Sequence, residues 1–89
     1  MARVVDYVVQ NVIGSNVKKY RLEQSMSQKD LSDRLETYAV YICRGSVSRI
    51  ENHERTVTDF ELKALSDALN VPIYDLYEED ENFPKRRNA

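Results

Sequence analysis

The residues of this chain best suited to bind a partner lie between positions 44 and 52, in a segment with helical periodicity. At 3.6 residues per turn, Val47, Ile50 and Glu51 fall on one side of such a helix, and the other side is polar. A helix with a polar outer face fits a groove about as wide as a helix, and the DNA major groove is the obvious candidate. We predict that five residues contact base edges there: Arg44, Gly45, Ser46, Ser48 and Arg49.

Arginine provides the most specific chemistry on this face, because a guanidinium can donate two hydrogen bonds to the O6 and N7 edge of guanine. Arg49 suits a base contact, whereas Arg44, at the helix entrance, suits either a base or a phosphate. Either arginine can instead form a surface ion pair. Gly45 is unusual, since glycine inside a helix costs roughly 1 kcal/mol relative to alanine. It indicates either a close approach to DNA or a helix that starts one residue later.

Composition predicts one small soluble domain, since the 89 residues are 42% hydrophobic and 31% charged. Cys43 is the only cysteine, which excludes an intrachain disulfide framework and a thiolate zinc cluster and favours a cytoplasmic setting. No apolar run approaches the roughly 20 residues of a membrane span. The net charge of −2 argues mildly against a polyanionic partner, but five of the 15 acidic residues lie between positions 75 and 81. Positive charge elsewhere can therefore still contact DNA.

The apolar pattern predicts an all-α fold, a compact bundle of about five short helices. A first helix ends near residues 23–25, and Ser27 with Asp30 indicates the capped start of a second helix that ends near Glu36. The third helix spans about 44–52. Thr58 and Glu61 form a capping box for a fourth helix, which Asn70 can end in a left-handed conformation. The predicted buried stripe of that fourth helix is Phe60, Leu62, Leu65, Ala68 and Leu69. Residues 72–77 suit a short fifth helix.

The core domain is predicted to span residues 13–77, with an extension at each end. Residues 1–12 are rich in valine, which permits a short strand, but their spacing favours a helix continuous with the first one. Residues 78–89 are charged and predict a mobile tail. Within the domain, residues 37–43 have no clear turn chemistry, yet they are too apolar for a freely solvated loop, so some of them must pack.

This arrangement resembles the Cro and phage-repressor (XRE-type) helix-turn-helix family, and its longer-linker subgroup in particular. The resemblance covers about 65 residues, in the order that the family has them. It is carried by Ile13-Gly14, Val17-Lys18-Lys19-Tyr20-Arg21, Ser27-Gln28-Lys29-Asp30-Leu31-Ser32, Val47-Ser48-Arg49-Ile50-Glu51-Asn52, Arg55 and the stretch 65–76.

The resemblance implies that the third helix enters the major groove while the N-terminus of the second contacts the DNA backbone. Gln28 can then offer its amide and nearby backbone N–H groups to a phosphate, although a solvated polar residue is the alternative. Arg21 and Glu51 resemble a structural ion pair that ties the first helix to the third. The predicted phosphate contacts are Ser27, Gln28, Lys29, Asn52, His53 and Arg55.

Two features depart from the family pattern. The link between the second and third helices is about five residues longer than the usual tight turn and lacks its glycine. His53 stands where the family commonly has a glycine that ends the third helix, and we expect Asn52 to take the left-handed conformation instead. As the only histidine, without a second ligand or a nucleophile nearby, His53 suits a surface turn close to phosphate better than metal binding or catalysis.

The leading hypothesis is a sequence-specific DNA-binding transcriptional regulator, a repressor that binds a palindromic operator in double-stranded DNA as a homodimer and needs no cofactor. The alternative is a protein-interaction module, such as the antitoxin of a toxin-antitoxin pair, which would use the apolar N-terminal segment and the acidic tail. An enzyme is disfavoured, because the sequence has no glycine-rich phosphate loop, metal-ligand cluster or paired nucleophile and base.

Overall fold

Five short helices make up the part of the chain that the structure describes. The computed structural model describes residues 9–79, and this range contains helices and no strand. The predicted all-α fold is therefore confirmed. No helix in the described range is long and apolar enough to cross a membrane. The helices are α1 (Gly14–Glu23), α2 (Gln28–Glu36), α3 (Arg44–Glu51), α4 (Asp59–Leu69) and α5 (Ile73–Leu76).

One apolar core joins all five helices. α3 packs against both α1 and α2, α4 also packs against α1 and α2, and α5 packs against α1 and α4. Because α3 has only eight residues, its position depends on these contacts rather than on its own helical propensity. The buried apolar side chains are Ile13, Val17, Met26, Leu31, Leu35, Ile42, Val47, Ile50, Ala64, Leu65, Ala68, Leu69 and Leu76.

Capping boxes start α2 and α4, as the sequence predicts. The Ser27 hydroxyl accepts the Asp30 amide at 2.9 Å, and the Asp30 carboxylate accepts the Ser27 amide at 2.9 Å. Thr58 and Glu61 exchange the same two bonds at 3.2 and 3.0 Å. Backbone amides that no carbonyl can reach are thereby satisfied at both helix starts.

The first four helices end in the same way, with a left-handed residue followed by a hydrogen bond to the carbonyl five residues earlier. Glycine usually occupies the left-handed position because it has no Cβ, yet none of the four residues is glycine. The left-handed residues are Ser25, Ala39, His53 and Asn70, with φ of 58°, 63°, 64° and 57°. The closing amide–carbonyl pairs are Met26–Arg21, Val40–Leu35, Glu54–Arg49 and Val71–Ser66.

These helix ends confirm one prediction and correct another. Asn70 ends α4 in the left-handed conformation, as predicted. Asn52 does not take that conformation after α3: its φ is −93°, and His53 takes it instead. The closing bond from the Glu54 amide to the Arg49 carbonyl requires the left-handed turn at position 53. Geometry therefore places the strained residue one position later than side-chain preference suggested.

The predicted helical continuation of residues 1–12 into α1 is wrong for residues 9–12, which lie outside any helix. The Asn11 side-chain oxygen accepts the amides of Ile13 and Gly14 at 3.1 and 2.8 Å. A helix that continued backwards would bond those two amides to carbonyls of residues 9 and 10. The Asn11 side chain thus accepts the two amides that a preceding helical turn would accept, and the helix that the valine spacing favours does not form here. Residues 1–8, and the predicted tail from residue 80 onward, lie outside the described residues.

Two further predictions concern apolar side chains. In residues 37–43, Ile42 is buried and Val40 is half-buried, which confirms that part of this linker packs. Phe60, in contrast, is 80% exposed and does not belong to the buried stripe of α4. At helical pitch Phe60 lies nearly on the opposite side of α4 from Leu65 and Leu69, so it faces away from the core.

Candidate nucleic-acid interface

α3 divides into a buried side and an exposed side, and this division sets the geometry of the candidate interface. Val47 and Ile50 are almost fully buried, and the Glu51 residue is only 5% exposed. Arg44, Gly45 and Arg49 are exposed, while Ser46 and Ser48 are half-buried at the two margins. The helix therefore presents its predicted base-contacting residues outward.

The two arginines of this exposed side have no hydrogen-bond or ion-pair partner among residues 9–79. Two other exposed cations of the described residues differ: Lys29 and Lys63 are each paired with an aspartate one helical turn later. The side chains of Arg44 and Arg49 are thus free to bind an external acceptor without breaking a protein contact.

Gly45 makes the outer surface of α3 unusually open. Apart from its own helix backbone and its two chain neighbours, a Cβ at this position would have no heavy atom within 4 Å. Gly45 lies inside the helix, at its second residue, so it does not serve to end a preceding turn. Its lack of a side chain exposes helix backbone between Arg44 and Arg49 instead.

The N-terminus of α3 has no side-chain cap. Cys43 is the N-cap residue, and its side chain does not accept a hydrogen bond from the first turn. Cys43 is an exposed free thiol 3.5 Å from the Ser46 hydroxyl. The Ser46 side chain, and after it the Ser46 backbone, lower the pKa of this thiol because they favour the thiolate. The first-turn amides of α3 remain available to an anion, which the helix dipole also favours.

The buried side of α3 is fixed by a charged network. The Arg21 guanidinium donates to both carboxylate oxygens of Glu51, at 2.6 and 3.0 Å, and its third bond goes to the Met26 carbonyl at 2.8 Å. Arg21 is only 6% exposed. The fork geometry uses both carboxylate oxygens, so the two charges compensate each other inside the protein. The structure therefore places the predicted pair in direct contact, where it joins α1 to α3.

Gln28 extends this network to α2 rather than pointing freely outward. Its side-chain amide donates to the Glu51 carboxylate at 3.1 Å, and the residue is half-buried. The Ser27 hydroxyl is occupied by its cap bond to Asp30. Lys29 is exposed and paired with Asp33 at 3.1 Å. Of the three candidates at the start of α2, Ser27 and Lys29 are exposed and Gln28 is the one turned into the protein.

The segment after α3 is similarly engaged within the protein. His53 binds the Ser15 hydroxyl through Nε2 at 2.9 Å and the Asn11 carbonyl through Nδ1 at 3.1 Å. Arg55 forms a two-pronged ion pair with Glu61, both distances being 2.9 Å. Asn52 remains exposed. Among the predicted phosphate contacts after α3, Asn52 alone has no side-chain bond to another described residue.

Sequence reasoning missed two residues of this region. The Asn11 side-chain amide donates to the carbonyls of Ile50 and Arg55 at 3.0 and 2.8 Å, so Asn11 ties the start of α1 to the end of α3. A polar residue beside an apolar run was the available signal for a helix cap. The second is Tyr41, which lies three residues before the start of α3 and is 77% exposed. Its exposure follows from how residues 40 and 42 pack, which no local pattern shows.

Comparison with known proteins agrees with this geometry. A model of the helix-turn-helix family (HTH_3) matches residues 17–76. Among solved structures, the DNA-binding domain of BldD has a similar fold, with a TM-score of 0.61 and 23% identity over 83% of this chain and 97% of that one. No curated protein matches the chain. The family match covers α2, the long linker and α3 together, and the chain therefore belongs to the XRE-type helix-turn-helix family.

Proposed function

We propose that this protein binds double-stranded DNA sequence-specifically and regulates transcription, as a dimeric repressor on a palindromic operator. The observation that carries the proposal is the exposed side of α3, where Arg44 and Arg49 have no partner among the described residues and Gly45 leaves the helix backbone bare. Membership of the helix-turn-helix family supports it, as does the fold shared with a domain that is named for DNA binding.

Arg49 is the residue that we assign to base recognition. It lies one helical turn after Gly45, so both are on the same side of α3, and the bare glycine lets this side approach the base edges closely. A guanidinium in the major groove selects guanine through O6 and N7. Arg44, at the first position of the helix, is assigned to a base or phosphate contact at the edge of the groove.

Phosphate contacts are assigned to the N-terminus of α2 and to Asn52. The capping box leaves the backbone amides of Gln28 and Lys29 at the start of the helix, where the dipole favours an anion. The Lys29–Asp33 pair is exposed, so Lys29 can exchange its partner at little cost. His53 and Arg55 are engaged within the protein, and we assign them to the shape of the loop instead.

The dimer is part of the proposal, because one small domain of this size recognises few base pairs alone. A twofold-symmetric pair of α3 helices contacts half-sites separated by about one DNA turn, roughly 34 Å. A palindromic operator has the same symmetry as such a pair.

Selection of the intact chain against random duplex DNA tests binding, symmetry and half-site spacing together. We expect a palindromic consensus, and fluorescence anisotropy should then show an affinity for the selected duplex that falls steeply with salt concentration. Arg49→Ala should lose about 1 to 3 kcal/mol of specific binding and relax base preference at one position in each half-site.

Arg34→Ala is the matched control, since it removes the same charge from α2, where the Arg34 guanidinium donates to the Ala68 carbonyl of α4. Its effect should be small and independent of sequence. Equal affinity of the wild-type protein for selected and random duplexes would contradict sequence-specific binding. An affinity unchanged by Arg49→Ala would remove α3 from the recognition surface.

The antitoxin alternative depends on the apolar N-terminal segment and the acidic tail, most of which lies outside the described residues. Co-purification of a stoichiometric protein partner, together with no salt-sensitive DNA binding, would favour it over the proposal.

A further inference from the structure

The linker between α2 and α3 has a regular alternation that turns one tyrosine outward. Val40 is half-buried and Ile42 is 3% exposed, whereas Tyr41, between them, is 77% exposed. Cys43 and Arg44, which follow, are exposed as well. Alternation of this kind is typical of extended backbone, in which successive side chains point to opposite sides.

Both neighbours of Tyr41 are anchored to α2. The Val40 amide donates to the Leu35 carbonyl at 3.1 Å, closing the left-handed turn at Ala39. The Ile42 carbonyl accepts the Ser32 hydroxyl at 2.6 Å, and the Ile42 side chain belongs to the core. The outward direction of Tyr41 is therefore set by the packing of residues 40 and 42, although the tyrosine ring itself contributes little to the core.

The hydroxyl of Tyr41 has no hydrogen-bond partner among residues 9–79. Tyr38, in the same linker, differs: its hydroxyl lies 3.4 Å from the Asp67 carbonyl of α4 and it is less exposed, at 45%. One tyrosine of the linker is thus directed to the protein, and the other is directed away from it beside the N-terminus of α3.

In a helix-turn-helix complex the N-terminal residues of the recognition helix enter the major groove. The chain that leads into that end must cross the groove edge, where phosphates line the path. Tyrosine hydroxyls are among the groups that bind phosphate oxygens in protein–DNA complexes. An exposed tyrosine two residues before the N-cap of α3 has the chemistry and the location for such a contact.

We propose that Tyr41 is a DNA-backbone contact, with its hydroxyl donating to a phosphate at the edge of the groove that α3 enters. The inference rests on the proposed function, and it gives the long linker a role. The additional residues place a phosphate-binding tyrosine next to the N-terminus of the recognition helix. Tyr41 then positions α3 in the groove without selecting a base.

The test compares Tyr41→Phe with Tyr38→Phe in the intact chain, by anisotropy titration of the selected duplex and a random duplex. Tyr41→Phe should weaken binding to both duplexes by the same factor, roughly tenfold for the loss of a hydrogen bond to a charged group. Tyr38→Phe should bind as the wild type does. Thermal unfolding should be unchanged for Tyr41→Phe, because the hydroxyl has no partner within the described protein.

A second measurement identifies the phosphate. Duplexes with one neutral methylphosphonate at a time should bind the wild type more weakly when the substitution is at the contacted position of each half-site. Tyr41→Phe should be insensitive at that same position. Two results would overturn the inference and leave the proposed function intact. One is a Tyr41→Phe variant that binds DNA as tightly as the wild type. The other is a variant that binds more weakly but is as sensitive as the wild type to a methylphosphonate at every position. Failure of the wild type to bind any selected duplex would overturn both.

Discussion

The two ends of α3 are built in opposite ways. At the C-terminal end, polar side chains from three other segments are bonded to the helix: Arg21 and Gln28 bind Glu51, and Asn11 binds the Ile50 carbonyl. At the N-terminal end, Cys43 provides no side-chain cap and Arg44 is exposed without a partner among the described residues. A helix that is fixed at one end can leave the hydrogen-bonding groups of the other end free for a ligand.

The two glycines of the chain mark the same contrast. Gly14, against the C-terminal end of α3, has no room for a side chain, because a Cβ there would be 2.1 Å from the Ile50 carbonyl oxygen. Gly45, at the N-terminal end, has open space where a Cβ would lie. The first glycine permits close packing of α1 on α3, and the second exposes backbone to solvent.

Gly14→Ala should produce the largest effect on stability. Its Cβ would overlap backbone atoms of Ile50 and Glu51 that no rotamer change can move, so α1 and α3 must separate. We expect a loss of about 3 kcal/mol or more in the free energy of unfolding, measured with urea. Gly45→Ala is the matched control and should raise stability by up to about 1 kcal/mol. Equal shifts in the two variants would contradict the contrast between the helix ends.

Glu51→Ala should be almost as damaging, because it leaves the buried Arg21 guanidinium without its carboxylate partner. We expect a loss on the order of 3 kcal/mol in the free energy of unfolding. Glu54→Ala, three residues later and exposed, should change stability by less than about 0.5 kcal/mol. Unchanged melting of Glu51→Ala would show that the pair does not anchor α3.

Acid should lower the free energy of unfolding moderately, through the loop that follows the C-terminal end of α3. The Arg55 guanidinium, bonded to Glu61, holds the pKa of that carboxyl below its ordinary value of 4.5, and the Thr58 amide lowers it further. A depressed pKa contributes stability that is present in full above pH 4.5 and is lost as pH falls through the folded-state value. Solvent screens this partly exposed pair, so the contribution is about 1 kcal/mol.

Glu61→Gln should therefore be less stable than the wild type at pH 7 and should approach it at pH 3. Urea unfolding at pH 7, 5, 4 and 3 measures this difference. If the difference in the free energy of unfolding between the two proteins stayed constant across that range, ionisation of Glu61 would be ruled out as its source.

The smallest effect should come from the linker that leads to the open end of α3. Ala39 has φ of 63°, a conformation that costs L-residues about 1 kcal/mol and glycine almost nothing. Ala39→Gly should therefore raise the free energy of unfolding by up to about 1 kcal/mol. Thr37→Gly is the control, because Thr37 has φ of −68° and glycine there should lower stability. A loss of stability in Ala39→Gly would indicate that the alanine methyl group packs.

Prediction from sequence succeeded where a local rule is sufficient. Capping boxes at Ser27 and Thr58 need only residues three positions apart, and the apolar spacing of α2 and α4 repeats over several turns. It failed where distant contacts decide. Valine spacing favoured a helix before Gly14, but the Asn11 side chain bonds to α1 and to the end of α3, which lies about 40 residues later. Periodicity likewise could not show that Phe60 lies beyond the packed area.

The same limit applies to the candidate interface. Outward residues of α3 follow from helical pitch, but whether an arginine is free depends on its neighbours in space. Spacing along the chain could not show that the fold pairs Arg55, a predicted phosphate contact, with Glu61. His53 was predicted to lie near phosphate, and both of its ring nitrogens are bonded to the segment that precedes α1 and to its first turn.

The amino-acid sequence by itself determined the helical fold, the capped starts of α2 and α4, and the polar outer side of α3, because each depends on spacing along one helix. The tertiary structure alone decided which cations remain unpaired, which residue takes the left-handed turn after α3, and why Tyr41 points outward. Those outcomes depend on contacts between segments that are remote in the chain, where packing and hydrogen-bond geometry override local preference.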